Sequence, residues 1–216
     1  MTTLSLFDDA QPPAVEALGR HALLLRSYAL PAVERVLAGL DGVLAAEPFR
    51  TVHTPGGLPM SVQLSGCGDC VWVSDKRGYR YEARHPDTGR PWPPMPDAWR
   101  TLAQDAARQA GFPDFRPDTC LINRYTPGSR LSLHQDKDER DFSTPIVSVS
   151  LGLPARFVFG GFTRSDPVQR WPLFHGDVVV WGGPDRLRFH GVLPLHDGHH
   201  PLLGRQRINL TFRRAN

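Results

Sequence analysis

From Phe112 onward the chain breaks into short runs of β-forming residues separated by Gly and Pro, a spacing that excludes long helices and demands a sheet folded over on itself. The runs are Cys120–Tyr125, Ile146–Leu151, Arg156–Phe159, Asp177–Trp181 and Arg207–Phe212. With 20 Gly and 21 Pro in 216 residues, tight turns joining many short elements are favoured over a helical bundle. The pattern is that of a sandwich or jelly roll. No internal repeat is visible, so solenoids and propellers drop out.

Two helices interrupt this grammar. From Pro31, the apolar residues Val33, Val36, Leu37, Leu40, Val43 and Leu44 recur at helical spacing, with the proline suited to a first turn. A second stripe, Trp99, Leu102, Ala103, Ala106 and Ala110, predicts a helix over Pro96–Ala110, with Gly111 just past its end. Both are expected to pack on the outside of a sheet, giving a mainly β, α+β fold with flanking helices. Gln11-Pro12-Pro13 breaks any period near the start, so residues 1–20 read as a loose lead-in and 21–216 as one domain. Residues 45–95 contain Ser61–Leu64 and Val71–Val73 among Pro/Gly loops and read as hairpins and flaps outside the core sheet. Residues 115–216 supply the core.

Charge is uneven along the chain. Residues 1–70 carry 4 basic and 7 acidic side chains, residues 71–216 carry 21 and 15, and only Lys76 and Lys137 are lysines. Arginine suits planar contacts with carboxylate or phosphate, although genome composition explains such a bias equally well. Three cysteines cannot build a disulfide framework, and the first thirty residues lack a secretory pattern, so a reducing, cytoplasmic compartment is expected. No apolar run spans a bilayer, and no membrane partner is expected.

His134-Gln135-Asp136 is followed 54 residues after the aspartate by His190. Residues two apart on an extended segment share a side. Two imidazoles and a carboxylate on one face are the arrangement that holds non-haem Fe(II) with positions open for a co-substrate and dioxygen. A lone H-x-D is also what an ordinary hydrogen-bonded pair looks like. The last strand strengthens the metal reading: Arg207, Asn209, Thr211 and Arg213 alternate with Ile208, Leu210 and Phe212, one face polar and one apolar. Arginines aimed into a barrel require anions, which a dicarboxylate co-substrate would supply; a solvated edge strand is the other reading. Asn123 and Tyr125 share a face of their strand, and both can hydrogen-bond a carboxylate or simply cap it. Trp72 and Gly78-Tyr79-Arg80-Tyr81 beside Lys76-Arg77 suit stacked bases and phosphates, or one ordinary hairpin.

The order of these features resembles the AlkB family of Fe(II)/2-oxoglutarate dioxygenases. The likeness runs through LFDDA, TPGG, GYRY, PWPPMP, CLINRYTPG, LSLHQDKD, PIVSVSLGLPA, HGDVVVWGG and NLTFR, nearly the whole chain. The resemblance implies a double-stranded β-helix, or jelly-roll, core under an N-terminal nucleotide-recognition lid. It implies iron on His134, Asp136 and His190. It further implies 2-oxoglutarate chelating that iron, with its far carboxylate on Arg207 and Arg213 assisted by Asn123, Tyr125 and Asn209. On that assignment Arg213→Lys weakens co-substrate binding and spares iron.

The same resemblance implies Trp72 stacking on a flipped base opposite His134, backbone or sugar contacts from Tyr79 and Tyr81, and substrate contacts from Asp138 and Arg164. Read alone, Lys137–Asp141 is equally a solvated charged loop. The implied reaction is oxidative dealkylation of bases such as 1-methyladenine and 3-methylcytosine in DNA, or RNA, by a monomeric enzyme. Dioxygen is consumed, 2-oxoglutarate becomes succinate and the alkyl group leaves as an aldehyde, directly reversing the damage. Asp75 and Leu64 depart from the family pattern within the lid. A protein-side-chain oxygenase and a cupin-like metal binder without turnover are the rival readings. Cys67 and Cys70 have C-x-x-C spacing but lack the further ligands a structural zinc needs. Ser132 and Ser148 have no base partner to make them nucleophiles.

Overall fold

The computed structural model describes residues 14–216. Its elements are β1 (Val15–Gly19), β2 (Ala22–Leu25), α1 (Val33–Ala46), β3 (Arg50–His53), β4 (Pro59–Gly68), β5 (Val71–Asp75), β6 (Gly78–Glu82), α2 (Asp97–Gln109), β7 (Thr119–Tyr125), β8 (Leu131–His134), β9 (Ile146–Gly152), β10 (Ala155–Phe159), β11 (Gln169–Leu173), β12 (Val178–Trp181), β13 (His190–Val192) and β14 (Arg207–Arg213). An eight-stranded sheet runs β1-β2-β12-β9-β14-β7-β4-β3, a four-stranded sheet runs β11-β10-β13-β8, and β5-β6 form a ribbon of their own.

Strand alternation sorts side chains to the two faces of the large sheet. Val147, Val149, Val178, Val180, Ile208, Leu210 and Phe212 pack in one cluster with Val36, Leu40, Val43, Trp99, Leu102 and Ala106 of the helices. Trp99 closes this layer: its indole nitrogen donates to the Val36 carbonyl at 3.0 Å, and its ring meets Phe212 edge-on at 6.2 Å. The opposite face packs Leu64, Tyr125, Val179 and Trp181 against Phe157, Phe159 and Val192 of the small sheet. Helices, large sheet and small sheet thus form three layers, the jelly roll expected from the sequence, and the polar face of β14 lies between the sheets. No helix among the described residues is long and apolar enough to cross a membrane.

Two expectations are corrected. The loose lead-in does not extend to residue 20, because β1 pairs with β2, which continues onto β12. Buried Leu18, Ala22 and Leu24 supply the apolar surface that holds this hairpin down. Residues 1–13, including Gln11-Pro12-Pro13, lie outside the described residues. Nor does all of 45–95 stay outside the core sheet: β4 pairs with β7 from Gln63↔Arg124 to Gly68↔Thr119, and β3 pairs with β4. Gly66 and Gly68 of β4 are sites of close approach. At Gly68, with φ +118, a Cβ would lie 2.3 Å from the Asp118 carbonyl oxygen, so only glycine lets the strands meet there. The ribbon β5-β6 does stand apart, on a small cluster of Val71, Val73 and Trp92.

Candidate active site

His134 and His190 are direct partners in the β8–β13 register, which brings their rings together with centroids 4.4 Å apart and planes tilted by 53°. Asp136 lies past the end of β8, yet it is brought back to the same point. Gln135 Nε2 donates to the Leu187 carbonyl at 2.6 Å, and Arg186 Nη1 donates to the Asp136 carbonyl at 2.7 Å. One ligating atom from each of His134, Asp136 and His190 lies within 4.8 Å of the others, the sole such group of three among the described residues. His134 Nε2 and His190 Nε2 stand 3.6 and 3.7 Å from the carboxylate oxygens of Asp136. Each Nδ1 faces a backbone carbonyl, Ser132 at 2.8 Å and Arg188 at 3.0 Å. With Nδ1–H donating, both Nε2 lone pairs point at the shared space, as a metal requires.

The electrostatics agree with that use. Burial and the neighbouring His190 push His134 down to about 4, so its imidazole is neutral at pH 7. Burial alone would raise Asp136, but Arg213 and the histidines outweigh it and hold the carboxyl well below its usual range. A dication and an oxyacid fit this donor set.

All seven residues of β14 are buried because the strand runs between β7 and β9; the solvated-edge reading fails. Arg207 is 1 % exposed. Its Nη2 donates to Ser150 Oγ at 2.8 Å, while Nε and Nη1 are buried without partners. A cationic fork left so is costly and fits the far carboxylate of 2-oxoglutarate.

Arg213 closes the other end of the strand. It donates Nε and Nη2 to Asp136 Oδ2 at 3.0 and 2.6 Å and lies 3.3 Å from Glu139 Oε1. Six residues of strand separate it from Arg207, about 20 Å along the backbone. Arg213 thus stands beside the metal ligands, with Arg207 farther along the strand in the same cavity. Asn209, between them, also lines the cavity. Its amide gives hydrogen bonds to Ser148 Oγ at 2.8 Å and the Val149 carbonyl at 3.0 Å and accepts one from Thr211, so it stiffens the wall. Asn123 and Tyr125 line the same cavity, and the Arg207 guanidinium lies 4.9 Å from the Tyr125 ring centroid.

That cavity, about 750 Å³, is also lined by Trp72, Tyr79, Tyr81, Asp138 and Arg164, so one chamber gathers every candidate residue. Trp72 stacks on Tyr79 at 5.3 Å and 16°, and its indole donates to Asp138 Oδ2 at 2.7 Å. The Tyr81 hydroxyl donates to Glu139 Oε1 at 2.7 Å. Arg164 donates to the Leu133 carbonyl and covers the Phe189 ring at 5.2 Å. At the ribbon tip, Asp75 takes two bonds from Arg80 at 2.9 Å and a contact from Arg77 at 3.4 Å, which tempers the basic cluster read there.

Sequence reasoning missed Glu139, Arg186 and Trp181. Glu139 sits in a charge run that reads as solvated, yet it is 6 % exposed. Arg186 had no signal beyond its charge. Trp181, the last residue of an apolar run, is both core and cavity wall, its ring 4.9 Å from that of His190. Cys67, Cys70 and Cys120 are free and buried.

Comparison with known proteins bears on the whole chain. The profile of the 2OG-Fe(II) oxygenase superfamily matches residues 24–213. The Alpha-ketoglutarate-dependent dioxygenase AlkB of Escherichia coli (strain K12) is 53% identical over 212 residues, covering 98% of either chain. The Nucleic acid dioxygenase ALKBH1 of Homo sapiens is 31% identical over 121 residues, 56% of this chain and 31% of that one. The solved structure of OsALKBH1 superposes with a TM-score of 0.79 at 29% identity, over 93% of this chain and all of the other. Likeness of this extent, on a jelly roll that converges two imidazoles and a carboxylate beside an unpaired arginine, makes the chain a member of the AlkB family of Fe(II)/2-oxoglutarate-dependent dioxygenases.

Proposed function

We propose that this dioxygenase removes alkyl groups from N-alkylated bases, 1-methyladenine and 3-methylcytosine among them, in DNA and secondarily RNA, acting as a cytoplasmic monomer. The observation that carries the reading is that one chamber holds both the His134–Asp136–His190 set and the aromatic ribbon face of Trp72 and Tyr79. The E. coli relative is a dioxygenase by name, and the human one a nucleic acid dioxygenase.

His134, Asp136 and His190 would hold Fe(II), and Arg207 the far carboxylate of 2-oxoglutarate. When bound, iron with 2-oxoglutarate and dioxygen supplies the oxidation that hydroxylates an N-alkyl carbon and leaves succinate and carbon dioxide. The protein's own residues do the placing. Arg213 fixes the Asp136 carboxylate, and the two Nδ1–H bonds fix the imidazoles. Trp72 offers an aromatic face to a base drawn out of its stack. Asp138, oriented by the Trp72 indole, presents its second oxygen to the exocyclic amine and favours a cationic, alkylated base over a neutral one. Apolar Leu64, Leu121, Phe157 and Trp181 line the chamber and limit water around the reacting carbon. The hydroxylated product is a hemiaminal that expels formaldehyde when the adduct is methyl.

The test is a coupled assay with Fe(II), 2-oxoglutarate and oligonucleotides carrying 1-methyladenine or 3-methylcytosine. Formaldehyde and succinate in equal amounts are expected. Succinate without base repair would point to a protein oxygenase, and no succinate with any substrate to a binding protein.

A further inference from the structure

Asp136 is steadied from two directions by arginines from distant parts of the chain. Arg213 of β14 grips its side chain, and Arg186, in the segment before β13, grips its backbone carbonyl. Both cations are buried, at 6 % and 2 % exposure. Two buried guanidinium groups gripping one aspartate, one by its carboxylate and one by its backbone carbonyl, beside a place built for a dication, would repel the metal and each other unless a further anion stood among them. Glu139 is that anion. Its side chain is 2 % exposed, with Oε2 lying 3.1 Å from Arg186 Nη2 and Oε1 3.3 Å from Arg213 Nε. The same Oε1 accepts the Tyr81 hydroxyl of the ribbon at 2.7 Å. Asp136 and Glu139 together balance Arg186 and Arg213.

We propose that Glu139 is a positioning residue of the metal centre: it keeps both arginines on Asp136 and leaves the four-residue cluster neutral before a divalent ion arrives. This rests on the metal-site reading above. Glu139→Gln keeps the shape and removes the charge, so a net positive cluster faces the incoming ion, and at the effective dielectric of a protein interior such a charge lowers dication affinity by roughly tenfold or more.

The experiment titrates purified full-length protein with Co(II), read by its visible absorption and without turnover, with thermal melts to check folding. Glu139→Gln is expected to weaken Co(II) about tenfold while remaining folded. The charge-balanced double variant Glu139→Gln/Arg186→Gln is expected to return to within about fivefold of the parent. A purely structural role would show no such rescue, because the second substitution removes another contact. Parent-like Co(II) affinity in Glu139→Gln, or a double variant as weak as the single, overturns the proposal. Should Glu139→Gln fail to fold, the double variant against the parent decides, and loss of its Co(II) binding is refuting. Failure of the parent to bind Co(II) would instead overturn the metal-site reading itself.

Discussion

Replacing Arg207 with methionine should make the protein more stable without co-substrate and less stable with it. The guanidinium is 1 % exposed, no acidic side chain pairs with it among the described residues, and Nε and Nη1 have no partner. Leaving buried donors unmade costs about 1–3 kcal/mol each, against about 1 kcal/mol gained from the single bond to Ser150. Methionine fills a similar length without polar atoms, so a net gain of about 2 kcal/mol is expected. For a domain of this size that is about 4–8 °C in Tm. In the Co(II)-loaded parent, 2-oxoglutarate at a hundred times its Kd should add about 2.7 kcal/mol, and in Arg207→Met almost nothing. Differential scanning calorimetry on both proteins, with and without 2-oxoglutarate, should therefore show the order of melting temperatures reverse. A variant that melts lower without 2-oxoglutarate, or one still stabilised by it, would show that Arg207 is not waiting for a carboxylate.

Three further outcomes follow from the same geometry. Arg213→Lys keeps a charge but loses the two-nitrogen grip on Asp136 Oδ2, so Co(II) affinity should fall along with 2-oxoglutarate affinity; unaltered Co(II) binding would restore the earlier assignment of this arginine to the far carboxylate. His134 is held near 4 against an ordinary value of 6.5, so the unfolded chain binds more protons between these values and metal-free stability should fall as pH drops from about 6.5 toward 4; urea unfolding of His134→Gln should show a shallower pH dependence, and an identical one refutes the assignment. Lys76→Ala should weaken oligonucleotide binding and reduce its salt slope by about 1, while Trp72→Ala should cost about 1–3 kcal/mol and leave the slope unchanged; fluorescence anisotropy across a salt series separates the two, and a flat parental response would count against the ribbon as a nucleic-acid contact.

The parts of this architecture legible in the sequence are those set by strand period. The alternation of β14 reveals one polar and one apolar face, whereas Asp136, past the end of β8, joins His134 through the contacts of Gln135 and Arg186 rather than through strand period. What the sequence concealed depends on partners remote along the chain. Arg213 finds Asp136 across 77 positions, and nothing local distinguishes it from Arg207. Glu139 belongs to a run of charges that any surface loop could carry, and only the closing of β6 and the segment before β13 over it makes it interior. The place of β4 in the large sheet is concealed because its apolar run lies among the Pro/Gly loops of 45–95, and the close approach of neighbouring strands at Gly66 and Gly68 leaves no local mark.

The ribbon β5-β6 has its own backbone ladder and its own apolar footing of Val71, Val73 and Trp92, and its side-chain hydrogen bonds to the loop after β8 are those of Trp72 and Tyr81. Through the Tyr81–Glu139 bond the ribbon touches the same carboxylate that meets Arg186 and Arg213, so a shift of the ribbon would be felt at the ligand set beneath it.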